Sequence, residues 1–106
     1  MKIAISSAGG SMDALVSEQF GRCAYVIVVD SETMKFEPIS NSAAGIMGGA
    51  GPEAARQIAK AGVTVVLTGS VGPNAKSALD SAGIKIVSGV SGSITVKQAV
   101  EEYLKK

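Results

Sequence analysis

The chain reads as one α/β domain on a five-stranded mixed sheet of order 3-2-1-4-5, its second strand antiparallel and helices on both faces. Three observations lead there. Residues 51–66 and 72–87 spell a single sixteen-residue unit twice, offset by 21 positions. Gly51-Pro52-x-Ala54 returns as Gly72-Pro73-x-Ala75, Ile58 as Leu79, Ala61-Gly62-Val63 as Ala82-Gly83-Ile84, and Val65-Val66 as Ile86-Val87. Each copy has the pattern glycine turn, helix, glycine stop, buried strand, as parallel strands beneath helices require. Upstream, two strand-like segments flank the polar turn Asp30-Ser31-Glu32-Thr33, the mark of an antiparallel hairpin. Finally, 106 residues with 46% hydrophobic and 18% charged side chains supply one core, hence a single domain over 1–106, and are too apolar for a disordered chain.

Each element follows in turn. Lys2–Ser6 alternates, with Ile3 and Ile5 on one face of a strand. Ala24–Val29 is apolar throughout and suits a central strand covered on both faces. Met34 and Phe36 alternate with Lys35 and Glu37 ahead of Pro38, which sends the third strand to an edge because proline cannot donate to a ladder. The first helix turns Ala54, Ala55, Ile58 and Ala59 inward, with Arg56 and Lys60 outward. Val63–Thr68 and Ile84–Ser88 are the short β-branched runs of the two repeated strands. In the second helix Ala75, Ala78, Leu79 and Ala82 fall at i, i+3, i+4 and i+7, as do Val96, Ala99, Val100 and Tyr103 in the third.

Local signals agree with these bounds. Pro52 and Pro73 stand in first helical turns, where a missing N–H goes unnoticed. Gly62 and Gly83 predict left-handed helix caps, and Thr95 with Gln98 predicts a capping box. Right-handed crossovers then set the repeated strands beside the first one, so both repeated helices begin on the same side of the sheet. Two long connections remain, Ser7–Arg22 and Ser40–Ala50; in a compact domain such segments carry function or a short helix.

Composition narrows the chemistry. Ten basic and nine acidic residues give a net charge of +1 without a cationic run, which argues against nucleic acid as a partner. No segment approaches the ~20 apolar residues of a membrane span, and none forms a signal-peptide core, so a cytoplasmic location is expected. The lone cysteine, Cys23, excludes an internal disulfide. The absence of histidine excludes a Ser-His-Asp triad and a Cys-His dyad built from this chain alone, and a zinc site with it. No catalytic residue is assigned.

The densest glycine stretch, Gly45, Gly48, Gly49 and Gly51, opens into the first helix. Glycines let backbone N–H groups approach a ligand closely, and a helix start favours negative charge, so an anion is the natural guest. Gly49-x-Gly51 is no dinucleotide fingerprint, since loop rather than strand precedes it, and no phosphate-loop lysine exists. Arg22 is the expected anion partner. It neighbours Cys23, whose thiolate it would favour for a soft metal, although Cys23 also leads into an apolar strand as a core cysteine would. Met47 offers a thioether or fills a gap. Phe20 anchors the first loop, Asp13 reads as a turn or cap residue, and Glu53 complements its helix dipole. The expected binding set is therefore Arg22, Cys23, Met47, Gly48, Gly49, Gly51, Gly72 and Asn74, with Cys23 the one candidate metal ligand.

Phe20-Gly21-Arg22 before an apolar strand, Gly48-Gly49-Ala50-Gly51-Pro52 opening a helix, Gly62-Val63-x-Val65-Val66, and Gly69-x-Val71-Gly72-Pro73-Asn74-Ala75 with Leu79 and Ala82-Gly83-Ile84 follow one another in order. Over essentially the whole chain this set resembles the dinitrogenase iron-molybdenum cofactor-binding family. The resemblance implies a ribonuclease H-like fold and a non-catalytic protein that binds a molybdenum- or iron-containing sulfur cluster, in cofactor assembly or storage. Donor or acceptor proteins of that assembly would be its partners, and the protein itself a monomer or weak dimer. Nitrogenase-associated members use histidine or further cysteines on the cluster; lacking both, this chain is closer to the small stand-alone, orange-protein-like members. The fold would not bring nuclease activity, because Ser6 and Thr68 stand where carboxylates would be needed. Two other readings stay open: a protein-interaction module using the glycine loop, and an enzyme acting on a small phosphorylated metabolite. The latter has only Asp13, Glu18 and Glu53 as acid/base groups.

Overall fold

The computed structural model describes residues 1–40 and 50–105, and for Ala50, Gly51 and Pro52 the backbone only. Its elements are β1 (Lys2–Ser7), β2 (Tyr25–Asp30), β3 (Phe36–Ser40), α1 (Ala50–Lys60), β4 (Val63–Leu67), α2 (Pro73–Ser81), β5 (Lys85–Val87) and α3 (Val96–Leu104). The sheet order is β3-β2-β1-β4-β5. β2 runs antiparallel to β1 and β3, while β1, β4 and β5 are mutually parallel, as the sequence predicts.

The middle place belongs to β1 rather than β2, and Ile3 to Ser7 are buried throughout. Its alternation is large against small rather than buried against exposed. Ile3 and Ile5 pack with Val96, Ala99 and Val100 of α3, whereas Ala4 faces Ala54, Ile58 and Leu79 of α1 and α2. β2 divides its side chains likewise, Val26 and Val28 toward α1 and α2, Ile27 and Val29 toward α3. It starts one residue later than expected, leaving Ala24 exposed.

β3 lies at the edge, mostly exposed, with Pro38 opposite Ile27. Met34 does not join it. The hairpin turn reaches Lys35, closed by Met34 N–H to the Asp30 carbonyl (2.8 Å) and Asp30 N–H to the Lys35 carbonyl (2.9 Å), and Met34 takes φ 59°. β5 is shorter than its sequence run, three residues against the five of Ile84–Ser88. Ile84 is nonetheless buried against α2.

Ala54, Ala55 and Ile58 of α1 and Ala75 and Leu79 of α2 are buried, each Ile or Leu contributing roughly 1.5–3 kcal/mol of apolar transfer. Ala59, Ala78 and Ala82 instead line the groove between the two helices. Gly62 and Gly83 take the left-handed conformation expected of caps, with φ of 84° and 74°. The α3 box is complete: Gln98 N–H donates to Thr95 Oγ1 (3.1 Å) and Thr95 N–H to Gln98 Oε1 (2.8 Å). α1 and α2 each run directly into a strand parallel to β1. Both helices are therefore antiparallel to those strands, and both begin at the rim formed by the C-terminal ends of β1, β4 and β5. Among the described residues no helix is long and apolar enough to cross a membrane.

Candidate functional site

The segment after β1 forms no helix; it straps that rim through hydrogen bonds to distant chain. Ala8 N–H donates to the Leu15 carbonyl (3.0 Å), and an antiparallel bridge joins Ser7 to Val16. Ser17 N–H then donates to the Ser6 carbonyl (2.8 Å), Ser70 N–H to that of Glu18 (2.6 Å), and Phe20 N–H to that of Ser70 (3.0 Å). The phenyl ring of Phe20 is buried in the core, as expected. Because the Gln19–Ser70 bridge is parallel, the two chains leave it in the same direction. One continues as Gly21-Arg22, the other as Gly72-Pro73-Asn74 at the start of α2. Arg22 stands three residues past the crossing, in the turn that its own N–H closes on the Gln19 carbonyl (3.3 Å), and the α2 N-terminus begins within a few residues of the crossing on the other chain.

Two glycines that follow β4 beside this crossing, Gly69 and Gly72, differ in kind. A Cβ on Gly69 would lie 2.6 Å from the Glu18 carbonyl oxygen and 2.7 Å from its Cα, so the strap crosses there only because residue 69 has no side chain. Gly72 is the N-cap of α2 with φ −70° and ψ 165°, ordinary extended backbone. Among the described residues, a Cβ there would meet nothing within 4 Å, and no side chain caps the helix. No contact with a described residue requires a glycine at that position.

Of the expected site residues, Arg22, Gly72 and Asn74 are exposed at the rim, and Gly51 falls in the first turn of α1 at the same end of the sheet. Cys23 is 1% exposed, packed in the core cluster with Phe20, Val26 and Ala54. Met47, Gly48 and Gly49 lie outside the described residues. Among those described, no three of His, Cys, Asp and Glu come together as a metal cage. The acidic candidates are dispersed. Asp13 is exposed in a turn, Glu53 pairs with Arg56 on α1, and Glu18 Oε2 accepts the Gly92 N–H (2.8 Å) beside a cavity of about 370 Å³.

Three polar residues escaped notice as a group. Ser6, Ser7 and Thr68 are fully buried. Ser6 Oγ donates to the Ser17 carbonyl (2.5 Å) and lies 2.7 Å from Thr68 Oγ1. The available signal was two hydroxyl residues closing otherwise apolar strands at equivalent ends of β1 and β4.

A family model described as "Dinitrogenase iron-molybdenum cofactor" matches residues 1–106. The chain belongs to the dinitrogenase iron-molybdenum cofactor family. Solved structures within reach of this family chain include the apo form of the orange protein from Desulfovibrio gigas. It is 44% identical, with a TM-score of 0.93, over 98% of this chain and 87% of that one. A Thermotoga protein described as a NifB candidate of the DUF35 family is 31% identical with a TM-score of 0.85, again over 98% and 87%. A Methanocaldococcus jannaschii protein described as a dinitrogenase candidate, 18% identical with a TM-score of 0.72 over 99% and 88%, shares the fold. No curated protein matches the chain.

Proposed function

We propose that this protein is a non-enzymatic carrier of an anionic metal-sulfur cluster, containing molybdenum or iron, that serves cofactor assembly or storage in the cytoplasm and exchanges its cargo with donor and acceptor proteins. The observation that carries the reading is Gly72: a helix start that, among the described residues, no side chain caps or crowds, at a rim that also presents Arg22 and the start of α1. Backbone N–H groups at two helix starts and one guanidinium suit a diffuse negative charge. Gly48, Gly49 and Met47, in the segment leading into α1, would complete the wall.

The donor set fits a cluster held by hydrogen bonds and charge better than one held by protein–metal bonds. Histidine is absent, and Cys23 could coordinate only if its sulfur left the core. Anaerobic titration with tetrathiomolybdate tests this. The expected result is a saturable complex whose absorption co-elutes with the protein on gel filtration, and which persists in Cys23→Ser. Loss of the complex in that variant would make Cys23 a ligand after all, whereas a wild-type protein eluting without absorption would end the carrier reading.

A further inference from the structure

We infer that Ser6 and Thr68 are positioning residues of the anion site, setting where the strap crosses the rim and hence where Arg22 is presented. Ser6 grips Ser17 at both of its backbone groups: its carbonyl accepts the Ser17 N–H at 2.8 Å, and its hydroxyl donates to the Ser17 carbonyl at 2.5 Å. A hydroxyl has one proton. The Ser6 hydroxyl lies within donating reach of both the Ser17 carbonyl and Thr68 Oγ1 (2.7 Å), and these two partners fix the Ser6 rotamer. Both side chains are 0% exposed in a predominantly apolar core, where a hydroxyl is costly unless fully engaged.

The lever is short. Ser17 lies five residues before Arg22, and between them the chain pairs with Ser70 at Glu18 to Phe20 and turns through the Arg22 N–H to the Gln19 carbonyl (3.3 Å). Ser70 in turn follows Thr68 by two residues and precedes Gly72 by two. One buried hydroxyl pair therefore references both halves of the site to the ends of β1 and β4.

This inference rests on the anion-site reading, and its test separates the two. Tetrathiomolybdate affinity is measured for wild type, Ser6→Ala, Thr68→Val and Thr68→Ser, alongside Val100→Ala as a core control on the opposite face of the sheet. Outer-shell partners of a bound metal group typically govern 10–100-fold in affinity, so Ser6→Ala is expected to weaken binding about 10-fold. Thr68→Val should do so to a lesser degree, while Thr68→Ser, which keeps the hydroxyl, should bind as wild type does. Val100→Ala should lose stability without losing affinity. Equal affinities for Ser6→Ala and wild type, or an equal loss in the control, overturn the inference. Should wild type itself not bind, the carrier reading fails, and the positioning role is then decided by NMR. Shifted Gly21 and Arg22 amide resonances and faster Ser17 exchange in Ser6→Ala, restored in Thr68→Ser relative to Thr68→Val, support it; unchanged spectra refute it.

Discussion

Gly69 and Gly72 stand three residues apart and answer to different demands. Gly69 is imposed by the fold, since the strap's backbone occupies the place of its Cβ. Gly69→Ala is expected to destabilise the protein by about 1–3 kcal/mol, as overpacking against backbone does, read as a lower urea midpoint with an unchanged slope. Gly72 meets no such demand from the described residues. Gly72→Ser supplies the missing cap, so its stability should match or exceed wild type by a few tenths of a kcal/mol, while the new side chain enters the open space before α2 and weakens tetrathiomolybdate binding. A serine variant that binds as tightly as wild type would show that the ligand does not approach this backbone.

At the scale of elements, the parts with local causes were legible. Period-2 and period-3.6 patterns placed five strands and three helices, and the repeat placed two of those strands beside the first. Pro38 marked the edge strand, and the Thr95–Gln98 pair marked the start of α3. Thr95→Ala should cost about 1 kcal/mol, seen as a lower melting temperature and faster amide exchange in the first turn of α3. That estimate is modest because the strap shares the capping: Val96 N–H donates to the Ala14 carbonyl (2.9 Å) and Lys97 N–H to that of Met12 (3.0 Å). Here lies what periodicity could not reveal. The path of residues 8–24 is written in hydrogen bonds to residues 6, 70 and 94–97, partners remote in sequence that leave no pattern in the segment itself. For the site, the glycine-led helix starts and Arg22 were visible as sequence, whereas the buried hydroxyl pair that sets their geometry was not. Nor was the sinking of Cys23 into the core decided by its neighbours, since a residue between an exposed arginine and an apolar strand can point either way.

For the molecule as a whole, a ligand confined to the native rim must shift the unfolding equilibrium. At about 100 times its dissociation constant, a cluster analogue adds roughly 2.7 kcal/mol of stability, which for a domain of this size raises the melting temperature by on the order of 10 °C. Calorimetry with and without tetrathiomolybdate measures this, and an unmoved transition would contradict specific binding. The repeated unit gives that gain a particular origin. Two helices lying side by side and starting at one rim bring like ends of their dipoles together, each equivalent to about half a positive charge. Those like ends repel, and Glu53 in the first turn of α1 offsets part of that repulsion. On the carrier reading, the duplication gathers like partial charges at one corner of the molecule, and an anionic guest draws part of its affinity from offsetting them.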